Sequence, residues 1–289
     1  VARPDPTLQR QRIGKKLRAF RSSAPERVGR KFTAADAAAV LGCTQPKISQ
    51  MEAGKYRLQW RDVRDLLTAY GASGHDIDRL VEAAALTAQP TWWAPYRAVV
   101  GEGFAELVGG EGEALTEITY EHGVMPGLVQ TQPYAEALTV ASRAVSATNR
   151  ELVVGLRMER QRRLTEDDPL ELVALIEESV LHRPIGTPEI MTAQLDHLLT
   201  LGQRPNVTIQ IVPTAAGAHA ALAGRFVLLL FAEFSPAVYL EHPPPLGARW
   251  SDDPLLSTAY EEIAAAARQQ ALSPEDSAAV IRTTLDDLV

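Results

Sequence analysis

The chain has 289 residues, of which 46% are hydrophobic and 22% charged, and a formal net charge of -7. That length suits two ordinary domains. The longest strongly apolar run, RFVLLLFAEF from Arg225 to Phe234, is too short to span a bilayer, and the single cysteine, Cys43, excludes an intrachain disulfide and a cysteine zinc cage.

No secretory-signal pattern opens the sequence, so the cytoplasm is the expected compartment. The total charge hides an asymmetry. Residues 1–70 hold 15 Lys and Arg against 6 Asp and Glu, a balance of +9, and the other 219 carry -16. A basic head on an acidic body is the charge signature of a nucleic-acid-binding module fused to something that avoids nucleic acid.

In chain order, residues 1–7 are polar and read as a disordered tail. A first helix is predicted from about Thr7 to Arg21, with Ile13, Leu17 and Phe20 as its apolar stripe. SSAPERVGR (22–30) reads as a loop. A second helix is predicted from near Thr33 to Leu41. Gly42 then supplies a sharp turn. The third helix opens at the N-cap residue Thr44, carries Pro46 in its first turn and stops at Gly54. Two more helices follow, on Trp60–Tyr70 and Ile77–Ala84. TAQPTWWAP (87–95), bounded by Pro90 and Pro95, reads as a linker in which one of the two tryptophans packs the domains together. The organisation expected is a head over residues 1–86, a linker over 87–98 and a body over 99–289.

In the body, strands are predicted at 115–121, 170–178, 206–213, 224–231 and 237–242 from β-branched content and length. Helices are predicted from Tyr134 to Val145, at 149–165, at 187–203 and twice at the C-terminal end, the last opening with SPED. The fold class expected is an all-α, helix-turn-helix head followed by an α+β domain with a mostly antiparallel sheet. The arginines that end the 149–165 helix, Arg157, Arg160, Arg162 and Arg163, are expected to pair with EDDP (166–169) as a solvated charged surface.

The stretch LGCTQPKISQMEAGK (41–55) carries the chemistry. Two short helices that cross closely need a small residue in the first, here Ala38, a turn residue four later, here Gly42, and apolar pegs, here Leu41, Cys43, Ile48 and Met51. With Ile48 and Met51 turned inward, Thr44, Gln45, Lys47, Ser49 and Gln50 are left for the edges of bases in a major groove. Lys31, Thr33, Lys55, Arg57 and Arg61 are the candidate phosphate contacts, which set affinity rather than sequence. Arg27 and Arg30 in the 22–31 loop could join them.

At these residues a resemblance enters. FTAADAAAVLGCTQPKISQMEAGKYRLQWRDVRDLLTAYG resembles the helix-turn-helix of XRE-type (lambda-repressor-like) bacterial regulators. MPGLVQTQPYAEAL, ERQRRL, PNVTIQIVPTAAGAH, VYLEH and LSPEDSAAVIR resemble the DUF5753 domain fused to it in actinobacteria. The resemblance implies a DNA-binding transcriptional regulator of an antitoxin-like type, similar to one paired with a small DUF397-type protein. Where that helix-turn-helix commonly has glutamine after the threonine opening its second helix, this chain has Ala34.

The body's task is open between a dimerisation and signal-receiving module, an enzyme and a ligand pocket. Glu177, Glu178, His182, His219, Glu241 and His242 are its candidate acids and ligands. They lack HExxH spacing, and neither a GxSxG elbow nor a phosphate loop occurs, so no catalysis, metal or cofactor is expected. The small-residue segment PTAAGAHAALAG (213–224), with Glu178, His219, Glu241 and His242, is the candidate pocket for a ligand or partner. The partners expected are double-stranded DNA, a second copy of the chain, and a DUF397-type protein or a small effector, with no membrane. The alternative is a protein-interaction module that sequesters its small partner, with DNA binding serving autoregulation.

Overall fold

The computed structural model describes residues 6–87, 91–101, 103–232, 234–241 and 247–288. The first five residues of the tail, linker residues 88–90 and His242 lie outside the described residues. The chain divides into two compact units, a head that ends at Ala94 and a body that begins at Pro95.

The head is helical: α1 (Pro6–Ser22), α2 (Ala24–Val28), α3 (Ala34–Val40), α4 (Gln45–Glu52), α5 (Trp60–Ala69) and α6 (Gly74–Leu86). Ile13 and Leu17 of α1, Ala37 and Ala38 of α3, Ile48 and Met51 of α4 and Val63, Leu66 and Leu67 of α5 form one buried core. The short α2 falls where SSAPERVGR was read as loop. Its proline occupies the first turn, where a missing N–H costs nothing. The α1–α4 contact is close enough that a Cβ on Gly14 would lie 2.5 Å from the Met51 carbonyl oxygen and 2.7 Å from that of Glu52. Arg21, at the end of α1, locks the same crossing through paired bonds to Glu52, Nε to Oε1 at 2.6 Å and Nη2 to Oε2 at 2.8 Å.

The body comprises α7 (Phe104–Glu113), β1 (Thr116–Glu121), α8 (Gln132–Ala141), α9 (Arg150–Gln161), β2 (Glu171–Glu177), α10 (Glu178–Leu181), α11 (Pro188–Leu201), β3 (Val207–Val212), β4 (Phe226–Leu230), β5 (Ala237–Glu241), β6 (Ala248–Ser251), α12 (Pro254–Gln270) and α13 (Pro274–Asp286). The strands form one sheet in the order β3-β2-β1-β4-β5-β6. β1, β2 and β3 run parallel, while β4, β5 and β6 join by antiparallel pairing. The sheet is therefore mixed, not mostly antiparallel. Its parallel half follows from the helices between its strands, since α8–α9 and α10–α11 are the crossovers that parallel neighbours require.

Strand alternation sorts side chains onto two covered faces. Leu172, Ala174 and Ile176 of β2 with Ile209 and Ile211 of β3 pack with Tyr134 of α8, Leu195 and Leu198 of α11 and Ile281 of α13. Val173 and Leu175 of β2 with Tyr120 of β1 pack against Ala264 and Ala267 of α12. Ser273 caps α13 by accepting from the Asp276 N–H at 3.0 Å. Among the described residues no helix is long and apolar enough to cross a membrane.

Candidate DNA interface and a charged cavity in the body

In the head, the α3–α4 corner is built as two helices crossing at a glycine. Gly42 has φ +59°, a conformation side chains resist, and turns the chain so that the Cys43 N–H donates to Ala38 O at 2.9 Å. Thr44 is the α4 N-cap in extended conformation, but its side chain makes no capping bond. Ile48 and Met51 are fully buried, and Thr44, Gln45, Ser49 and Gln50 are exposed. Four of the five candidate base-reading residues are therefore open to a partner. Lys47 differs: its ammonium is 3.3 Å from Asp62 of α5 and over the Tyr56 ring.

Lys31, Lys55, Arg57 and Arg61 are also exposed. Arg61 and Arg64 both lie against the exposed Trp60 ring, and Arg64 is a cation the sequence reading omitted. Its signal was its place three residues after Arg61 on one helix. Thr33 is committed elsewhere. Its hydroxyl donates to Asp36 at 2.6 Å, its N–H donates to the same carboxylate at 2.7 Å, and the Asp36 N–H donates back at 3.2 Å. Those bonds hold the Asp36 carboxyl below its usual pKa, so the α3 N-terminus already carries its anion, and a phosphate there would meet a like charge. Arg27 is also spoken for: it donates to Tyr70 O at 2.9 Å, to Ser23 and to Phe20 O, bracing α2 against the core.

In the body, three of the four candidate pocket residues, Glu178, His219 and Glu241, fall among the described residues, and they have different partners. Glu178 accepts the Thr214 N–H at 2.8 Å. His219 Nε2 is 2.9 Å from Glu177 Oε1, which also accepts the Tyr120 hydroxyl at 2.9 Å. Both residues pin the 213–224 connection to the end of β2. Of these three, Glu241 lines the cavity described next, and it pairs there with Arg225 at 2.8 Å. Among the described residues no group of three His, Cys, Asp or Glu is placed to hold a metal ion.

The cavity measures about 710 Å³ and lies between β1, β4 and β5 on one side and α7, α8 and α9 on the other. Its polar wall is Glu117, Thr119 and Glu121 of β1 with Arg157, Arg160, Arg225 and Glu241. The arginine-rich helix end is thus mostly interior. Arg160 is buried in a two-bond pair with Glu111 of α7, one bond being Nε to Oε2 at 2.7 Å. Arg157 donates to Gln130 at 3.0 Å, and burial lowers its pKa to about 10. Arg163 reaches the Glu166 carboxylate at 3.2 Å and donates to Asp168 O at 2.7 Å, both in the EDDP segment, while Arg162 pairs with Glu159. Burial, then the neighbouring Glu111, raises the Glu117 carboxyl well above the carboxylate range. Burial likewise pushes Glu121 to about 7, against the opposing pull of Arg225.

Comparison with known families gives two matches. Residues 12–80 match a helix-turn-helix domain, and residues 104–283 match the domain of unknown function DUF5753. The chain belongs to the DUF5753 family. No curated protein and no solved structure matches it significantly.

The matched DUF5753 segment runs from α7 into α13 and so contains the whole sheet and most of the cavity wall. Its Glu121 gives a signed pH effect. The folded pKa of about 7 exceeds the ordinary 4.5, so the native state holds this proton more firmly than the unfolded chain. The resulting stability is fully present below pH 4.5 and is lost as pH rises through 7. Glu121→Gln, neutral throughout, is expected to match the native protein at pH 4 and to exceed it by roughly 2–3 kcal/mol at pH 8. Urea unfolding at both values measures the gap. A gap that widens toward acid instead would contradict this origin.

Proposed function

We propose that the protein is a sequence-specific DNA-binding transcriptional regulator whose α4 enters the major groove and whose DUF5753 body receives the signal. One observation carries the reading. The exposed Thr44, Gln45, Ser49 and Gln50 stand on the second helix of a helix-turn-helix, with exposed Lys31, Lys55, Arg57, Arg61 and Arg64 in the same domain. Glutamine pairs with adenine N6/N7, and the cations neutralise flanking phosphates. Lys47 joins the base-reading set by exchanging Asp62 for a base edge. Thr33, occupied by Asp36, is set aside from the phosphate set.

A homodimer would present two heads to half-sites about 34 Å apart. The acidic body, repelled by the same backbone, stays clear of it. The antitoxin-like alternative keeps this DNA chemistry and adds a small protein partner.

The test is a salt titration of full-chain binding to duplex DNA. Binding that weakens steeply with salt, and Arg57→Ala lowering the slope of log K against log salt by about 1 on every duplex, support the reading. A slope unchanged in Arg57→Ala removes that residue from the interface. Binding that ignores salt sinks the reading as a whole.

A further inference from the structure

The body cavity has an unbalanced end. Among the described residues, the carboxylic acids and bases at and behind its wall are three arginines and four glutamates: Arg157, Arg160 and Arg225 against Glu111, Glu117, Glu121 and Glu241. At one end Arg225 pairs with Glu241 at 2.8 Å and lies 3.8 Å from Glu121, with Arg157 close by, so two cations face two acids. At the other end one guanidinium, Arg160, faces two acids, Glu111 and Glu117. Glu111 takes both of Arg160's bonds. Glu117 is 2% exposed, no group donates to its Oε2, and its carboxyl lies within hydrogen-bonding reach of Glu111. A buried acceptor without a donor is costly, and the Glu117 side chain that carries it forms part of the wall of a space large enough for a small molecule.

The rest of the lining fits a cation with an apolar tail. Phe104 and Tyr239, rings 6.3 Å apart, line the cavity, and Arg160 already stands over the Phe104 ring, a surrounding that suits positive charge. Met125, Leu138, Val145 and Leu156 make the wall opposite β1 apolar. Farther along β1, about 13 Å from Glu117 at strand rise, Glu121 offers a second acceptor oxygen without a partner.

We propose that this cavity binds a small amphipathic monocation, an amine with an apolar tail, whose ammonium group donates to Glu117 beside the Glu111–Arg160 pair while the tail lies along β1 against α8 and α9. In the free protein a proton on Glu117 takes the place of that charge, in keeping with its raised pKa.

The site stands apart from the DNA reading, because binding is measured without DNA and either can fail alone. Full-length protein is titrated at pH 7.5 with n-hexylamine, 1-hexanol and hexanoate, using calorimetry and thermal shift. The amine is expected to bind at least tenfold more tightly than the alcohol and hexanoate more weakly than both. Glu117→Gln, nearly isosteric with the protonated acid and so expected to fold, should weaken the amine at least tenfold and leave the alcohol unchanged. Leu138→Trp, which fills the cavity, should weaken both. Equal binding of amine and alcohol, amine binding indifferent to both substitutions, or no amine binding at millimolar concentration would each overturn the proposal.

Discussion

Gly14→Val is expected to unfold the head and abolish DNA binding. The new Cβ would sit 2.5 Å from Met51 O and 2.7 Å from Glu52 O, and these are backbone atoms, which cannot rotate aside as a side chain can. Relief requires α4 to move off α1. That movement strains the two-bond Arg21–Glu52 pair and opens the packing of Met51, which is fully buried. Overpacking of this kind costs about 3 kcal/mol or more, a large share of a small domain's stability. Ala19→Val is the control, because Ala19 is exposed on the same helix and the change costs about 0.5 kcal/mol of helix propensity. Thermal scans of both variants, with duplex binding as the second readout, decide the matter. A Gly14→Val protein that melts with the native protein and binds DNA normally would show that the α1–α4 contact is not so tight.

Arg160→Met is expected to destabilise the body by about 3–5 kcal/mol, the range for breaking one side of a buried ion pair. Glu111 is 1% exposed and Arg160 7%, and Glu117 lies beside them. With the guanidinium gone, Glu111 loses both of its bonds from Arg160 and two buried carboxyls face each other. Burial alone would lower the Arg160 pKa, but the Glu111 carboxylate outweighs it and the net shift is upward. The guanidinium is therefore charged at any ordinary pH. The double variant Glu111→Leu with Arg160→Met removes both charges and should recover most of the loss, because well-packed apolar substitutes often match a buried pair. Urea unfolding of both singles and the double closes the cycle. Additive losses would mean that the two side chains do not act as a pair.

The helix-turn-helix was legible because its demands are local. Ala38, Gly42, Ile48 and Met51 lie within fourteen positions, and each requirement can be read from spacing alone. Helix α2 was not legible, since a proline and a glycine in nine residues read as loop. The sheet's parallel half had a local sign that carried too little weight: LVALI in β2 is a continuous apolar run, as a strand covered on both faces requires. β1 is the opposite case. LTEITYE alternates like a strand with its glutamates in water, yet Glu117 is 2% exposed, because α8 and α9 cover that face as the crossover to β2. Which helix covers which face depends on contacts distant in sequence. The cavity could not be found from the strand's own pattern; of the pocket residues proposed around the 213–224 segment, Glu241 lines it, while Glu178 and His219 hold that segment to the end of β2. The capping use of Thr33 was visible in the sequence as TAAD, a threonine with an acid three residues later.

The α4 assignment is tested most directly by selection from a pool of randomised duplexes, with the full chain at moderate salt. The native protein is expected to enrich a defined motif. The double variant Gln45→Ala, Gln50→Ala should keep most of its general DNA affinity and salt dependence while losing discrimination at the positions read, at about 1–3 kcal/mol for each bidentate contact. Enrichment of the same motif to the same degree by the variant, or of no motif by the native protein, would contradict the reading of DNA sequence through α4.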